Sequence, residues 1–233
     1  MKLSTIFKLL LAILLVVSLG ACTHTTKPEQ AAIPIAKIAK PESLLVANFT
    51  VNTANVKSDS SILSKLKPQE NEATNQSQIS NEAIDALATA LVKRITEMGF
   101  YAQRTDGNQP PTAGSILIAG RFTSIDEGNK ARRGLIGLGA GQSSIDTDVQ
   151  IIAPSATSQQ ELYAFKAHAD SGNKPGAAAG GAASSAAAKL AGVAKSASSA
   201  YNSATAQLAA QNADEIADQL SAYFVQQGWV ATK

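Results

Sequence analysis

The chain has 233 residues, with 20 Lys and Arg against 18 Asp and Glu, a net charge of +2, 5% aromatic residues and one cysteine. A charge this near to neutral removes the electrostatic case for a nucleic-acid partner. A single thiol excludes an intrachain disulfide and a cysteine-built metal site, so any folded domain here must rest on its apolar core.

Lys2 and Lys8 open the chain, an unbroken apolar run follows from Leu9 to Val17, and small residues close it. That run is too short for a membrane span, and residues 1–21 have the layout of a secretory signal peptide. The closing residues Leu19-Gly20-Ala21-Cys22 resemble the lipobox of bacterial lipoproteins. The resemblance implies cleavage before Cys22, diacylation of its thiol with palmitate-type chains, and acylation of the new amino end. In that family an Asp after the cysteine retains the protein at the inner membrane. Here Thr23 follows, so the expected address is the outer membrane, lipid-anchored on its periplasmic face. One acyl chain binds marginally at about 0.8 kcal/mol per buried methylene, and two or three make the anchor durable.

Residues 22–41 are polar and carry Pro28, Pro34 and Pro41, the composition of an extended tether. The remainder, 42–233, reads as one periplasmic α+β domain. Glu42–Val51 is the first predicted strand, with either Leu45, Ala47 and Phe49 or the opposite set turned inward. Residues 52–78 are polar, contain Pro68, and read as a long loop. Ser80–Met98 is a predicted helix: Ile84, Leu87, Ala88, Leu91, Ile95 and Met98 form one apolar stripe. Ser80 or Asn81 is the expected cap, Gly99 the left-handed terminator, and Phe100 the apolar residue that follows it. Phe100–Gln103 reads as a short strand.

Three alternating segments come next, Ser115–Asp126, Ser144–Ile152 and Glu161–His168. In the first, Ile116, Ile118, Gly120 and Phe122 share a face; in the second, Ile145, Thr147, Val149 and Ile151 do. Such alternation predicts a sheet with one wet face, and sequential strands predict antiparallel pairing. Residues 171–211 are rich in Ala, Gly and Ser. They are either a closely packed alanine helix or weakly docked structure, with the glycines at 176–181 unable to hold a helix. Asn212–Gln227 returns to an amphipathic stripe of Ile216, Leu220, Tyr223 and Phe224, ending in Gly228-Trp229. The expected fold is α+β: a mainly antiparallel sheet of four to five strands with two amphipathic helices on one face, plus the Ala/Gly/Ser-rich segment.

The most distinctive interior stretch runs from Gly120 through Phe122, Ile125, Asp126, Gly128 and Asn129 to Arg132-Arg133 and the glycines 137, 139 and 141. With this G-x-F-x-x-I-D-x-G-N element, arginine pair and G-x-G-x-G tract, the chain resembles a family of proteobacterial envelope lipoproteins carrying a domain of unknown function. The resemblance spans Glu42 to Trp229 and is specific within Gly120–Val149. It implies a fold and an envelope location, and brings no activity. More distantly, Ala131–Gly141 and the strand after it are similar to the curli secretion channel lipoprotein, where the matching region builds membrane-crossing hairpins of an oligomeric β-barrel. Such hairpins need strands of about 9–11 residues with a continuous lipid-facing side. Here only Leu135, Ile136 and Leu138 offer one. The likeness implies the soluble domain and, as a second reading, a subunit of an oligomeric export channel.

The chemistry is sparse. Bare glycine amides beside Arg132 and Arg133 suit an anion, and they equally suit a structural turn. A dinucleotide fingerprint needs a helix after its glycines, where a strand is predicted. Gly192-Val193-Ala194-Lys195-Ser196 lacks the glycine before lysine that a phosphate loop requires. Asp126-Glu127-Gly128-Asn129 is a turn without the downstream glutamate of a calcium loop. There is no G-x-S-x-G or H-E-x-x-H motif, and His24 and His168 are too far apart in the chain's organisation to share a metal. Asp146 and Asp148 lie roughly 6.6 Å apart on one strand face, as paired carboxylates or as polar groups of a solvated face. The expectation is a non-enzymatic protein without cofactor or metal. Its partners would be the membrane, through lipid on Cys22, and an envelope protein or anionic component at Arg132, Arg133, Gly137, Gly139 and Gly141.

Overall fold

In a computed structural model the described residues are 37–61, 71–108, 110–129, 141–154, 159–172, 201 and 203–230. They form a seven-stranded mixed sheet with two helices: β1 Ser43–Ala47, β2 Thr50–Val51, β3 Val56–Lys57, α1 Glu72–Glu97, β4 Ala102–Thr105, β5 Ser115–Asp126, β6 Ser144–Pro154, β7 Gln159–Asp170 and α2 Ala204–Gln227. The main strand order is β4-β1-β5-β6-β7, and β2 and β3 also pair with β5.

The sheet divides at β5. On one side β1, β2 and β3 run parallel to it, and β4 runs parallel to β1. On the other side β5, β6 and β7 form the expected antiparallel meander. A mainly antiparallel sheet of four to five strands is therefore corrected to a mixed sheet of seven. The cause is α1, which lies between β1 and β4 in the chain. A strand, a helix and a return to the sheet give parallel pairing.

The first predicted strand proves to be a broken one. β1 turns Leu44 and Val46 inward, and after a break at Asn48 and Phe49 the chain pairs with β5 again at Thr50 and Val51. That break puts Phe49 on the core side as well, at 1% exposure. Neither alternating set suffices alone. The long loop over 52–78 is corrected too: a 3₁₀ turn at Thr53–Asn55, β3, and the first seven residues of α1 fall within it.

α1 begins eight residues before the predicted start, so Ser80 lies inside the helix and Asn71 stands at the cap position without a side-chain cap bond. Glu72–Gln78 carries no apolar stripe to betray a helix. Ser77 and Ser80 instead return their hydroxyls to the carbonyls of Ala73 and Gln76. α2 begins at Ala204, capped by Ser203, whose hydroxyl accepts from the Ala206 amide at 3.0 Å. Residues 204–211 of the Ala/Gly/Ser-rich segment thus belong to α2, while 173–200 and 202 lie outside the described residues. Both helices end as expected, on left-handed Gly99 and Gly228 followed by buried Phe100 and Trp229.

Both helices feed a single core. Leu87, Leu91 and Ile95 of α1 meet Ile216, Leu220 and Phe224 of α2 above Val46, Ile118, Phe122, Val149 and Ile151 of the sheet. Small residues face each other between the helices (Ala83, Ala86 and Ala90 against Ala206, Ala209, Ala213 and Ala217), all buried, which allows a close approach. Gly120 serves the same end within the sheet. A Cβ there would lie 2.5 Å from the Asp148 carbonyl and from the Phe49 ring.

Candidate functional site

Alternation along β5, β6 and β7 puts the charged side chains of the meander on the face opposite the helices. Register then makes rows of them. Arg121, Asp148 and Lys166 stand side by side, as do Ser124, Asp146 and His168. Asp148 accepts from Arg121 Nη2 at 2.7 Å and Nε at 3.1 Å, with Lys166 Nζ at 4.0 Å on its other oxygen. Asp146 Oδ1 lies 2.7 Å from Nδ1 of His168, and Asp170 Oδ2 lies 3.2 Å from its Nε2. Lys57 of β3 adds an ion pair to Asp126 at 3.6 Å.

The two aspartates singled out in the sequence therefore share a face but not a task. Each has its own cross-strand partner, Arg121 for Asp148 and His168 for Asp146. Partial burial pushes the His168 imidazole down, and the hydrogen bonds and charges of Asp146 and Asp170 outweigh it, holding His168 above its ordinary value. A carboxylate beside each ring nitrogen favours the protonated imidazolium, which donates from both. Among the described residues no group of three or more His, Cys, Asp or Glu could hold a metal ion.

At the end of the meander the chain narrows to a neck. Gly128 has φ +69°, and a Cβ on it would run into the carbonyls of Gly141 and Gln142. Bare backbone lets the two sides touch, and Asn129 N–H donates to the Gly141 carbonyl at 3.0 Å. Asp126 accepts from the Gly128 amide at 2.7 Å, and Ser60 N–H donates to the Gly128 carbonyl at 3.2 Å. Glu127 ties this neck to neighbouring elements, accepting from the Asp59 amide at 3.1 Å and the Thr205 hydroxyl at 3.0 Å. The crevice beside it is lined by Ile125, Glu127, Thr205 and Leu208. Of the expected contact residues only Gly141 is described, at φ +76°. Arg132, Arg133, Gly137, Gly139 and Cys22, the expected lipidation site, lie outside the described residues.

A second charged cluster went unforeseen. Arg94 of α1 is buried at 6% exposure, and reaches Asp214 and Asp218 of α2 at 2.9 and 3.7 Å and Glu97 at 3.3 Å. The Arg94 Nε–H does not point at the nearby Asp214 oxygen, so this closest contact is an ion pair without an aligned hydrogen bond. Burial pushes the Asp214 carboxyl up to about 6; Arg94 opposes that, and Asp218 and Glu97 add to it. One guanidinium serves three carboxylates, and Lys93 adds a second cation 3.9 Å from Glu97. The signal in sequence was only an arginine on the stripe side of a helix with Glu97 three residues on; Asp214 and Asp218 stand more than a hundred residues away.

A family model described as a domain of unknown function (DUF4410) matches residues 44–188. No curated protein matches the chain. Among solved structures, protein XCC0632 from Xanthomonas campestris is similar at 12% identity and TM-score 0.36, over 82% of this chain and 90% of that one. A PelC dodecamer from Paraburkholderia phytofirmans is similar at 6% identity and TM-score 0.33, over 58% and 76%. The hypothetical protein CT253 from Chlamydia trachomatis is similar at 11% identity and TM-score 0.27, over 57% and 73%.

Proposed function

The chain belongs to the DUF4410 family, whose description assigns no activity, and from that premise we propose an outer-membrane lipoprotein that faces the periplasm and works by contact. Acyl chains on Cys22 hold it, and the segment with Arg132, Arg133 and the glycine tract makes the contact with an envelope protein or an anionic envelope component. One observation supports this reading above others: the two ends of the sheet are used differently. The tether side joins at Ile38, whose amide donates to Gln227 at 3.0 Å and whose carbonyl accepts from the Trp229 indole at 3.0 Å. Asn129, Gly141 and Gly172, which flank the expected contact segment and the Ala/Gly/Ser-rich segment, lie at the opposite end. An anchor at one end leaves the other free to meet a partner.

The test has two parts. Labelled palmitate should enter the wild-type protein and not Cys22→Ser, and the wild type should sediment with outer membrane. Arg132→Ala with Arg133→Ala should keep the melting temperature and weaken partner or envelope binding, most at low salt. A variant that keeps both stability and every interaction overturns the contact role.

The second reading, a subunit of an oligomeric export channel, has one feature in its favour. The outer strands β4 and β7 run in the same direction, and neither has a further partner strand among the described residues. Copies standing on one membrane could join edge to edge without inverting an anchor. Sizing and cross-linking of detergent-extracted protein decide: a monomer that conducts no ions rules the channel out, and a large ring rules it in.

A further inference from the structure

Among the described residues Tyr101 is the one large apolar side chain left in solvent, at 63% exposure. It lies beside the point where the tether joins the domain. The Leu44 amide donates to the Tyr101 carbonyl at 2.9 Å, and the neighbouring Phe100 ring sits 6.4 Å from Trp229, which in turn holds Ile38. Lys40 Nζ stands 4.6 Å above the Phe100 ring. Lys37 and Lys40 are both exposed. Two exposed cations, the exposed acid Glu42 and an amphipathic ring thus lie near the chain's way in, and we call this region the rim.

We propose that this rim rests on the bilayer that carries the anchor, with Tyr101 at headgroup level and Lys37 and Lys40 on phospholipid phosphates. The proposal depends on the lipid-anchor reading above. Tyrosine favours the membrane interface because its body is apolar and its hydroxyl wet, and lysines within a Debye length of an anionic surface are drawn to it. Each contact alone is weak. The tether makes it intramolecular: the fifteen residues from Cys22 to Lys37 span at most roughly 50 Å, so the rim is never diluted away from the surface. Docked this way, the domain stands with its glycine neck pointing into the periplasm.

The experiment uses the full acylated chain in vesicles of phosphatidylethanolamine and phosphatidylglycerol. A photoreactive benzoylphenylalanine replaces either Tyr101 or Lys57, an exposed residue of the opposite end. Lipid adducts should be at least five-fold more abundant at position 101 than at 57. Lys37→Glu with Lys40→Glu, or raised salt, should lower them several-fold. Mass analysis of the N-terminal peptide reports acylation of Cys22 separately. Equal labelling at 101 and 57 on an acylated chain overturns the docking and leaves the anchor standing. An unacylated Cys22 overturns both.

Discussion

The two faces of the sheet hold their charges on opposite terms. Beneath the helices, Arg94 is enclosed, its side chain 7% exposed and its partners drawn from both helices. On the open face, Arg121 pairs just as closely with Asp148, yet its side chain is 68% exposed. Distance alone would rank the two pairs equal. Burial separates them, because a charge in the helix layer has lost the water that could replace its partner, while a charge on the open face has not. Arginine-to-alanine exchange at the two sites measures the difference.

The largest effect is expected from Arg94→Ala. It takes the cation from Asp214, whose side chain is 18% exposed, while Glu97 keeps Lys93 at 3.9 Å and the half-exposed Asp218 keeps its water, so the cost is at most about 3 kcal/mol. Urea denaturation checks it. Replacement by Met, which restores the packing of the aliphatic stem but no charge, should recover little. If Arg94→Met is as stable as the wild type, the cluster is held by packing and the contrast between the faces collapses.

How far each face could be read in advance follows the same physics. The core face announces itself by period: Leu87, Leu91, Ile95, Leu220 and Phe224 recur at helical spacing, and Ile116, Ile118, Ile145, Val149 and Ile151 alternate. Both helices and all three meander strands were legible from that. The start of α1 was not, because Glu72–Gln78 faces solvent and has no stripe. Nor was the parallel half of the sheet, since direction depends on where α1 carries the chain. On the open face the residue types were legible but not their partners. Arg121–Asp148 and His168–Asp146 depend on register, and register depends on bulges, after Phe122 in one pair of strands and after Ile151 in the other. The glycine neck showed itself as a turn signal at Asp126-Glu127-Gly128. That Gly128 would touch Gly141 required the fold.

A second, smaller effect sharpens the comparison through pH. The Asp214 carboxyl titrates at about 6 in the folded chain, above its ordinary 3.8. A raised carboxyl contributes stability that is complete below about 4 and lost as pH rises through 6. The protein should therefore gain on acidification from pH 7.5 to 5, with Asp214 supplying on the order of 1 kcal/mol. His168 and Asp218, also raised, act in the same sense. Denaturation midpoints across this range should rise for the wild type and rise less for Asp214→Asn. An unchanged slope in that variant would move the titration to His168 and the open face.

The smallest effect is expected from Arg121→Ala. Its guanidinium makes two good bonds to Asp148, so a loss of geometry is not the reason for a small effect. Water is. Arg121 is exposed and Asp148 half-buried at 26%, so water can take the guanidinium's place on Oδ2 while Lys166 stays 4.0 Å from Oδ1 as a second cation. Exposed pairs of this kind contribute less than about 1 kcal/mol, and salt screens part of that. Arg121→Ala should therefore shift the urea midpoint slightly in low salt and not measurably in 0.5 M salt. The strand keeps its place because its opposite side carries Phe122 and Ile118 in the core, which the change leaves alone. A loss as large as that of Arg94→Ala, persisting in high salt, would mean that the Arg121 row is covered in the working protein. The open face would then belong to an interface and not to solvent.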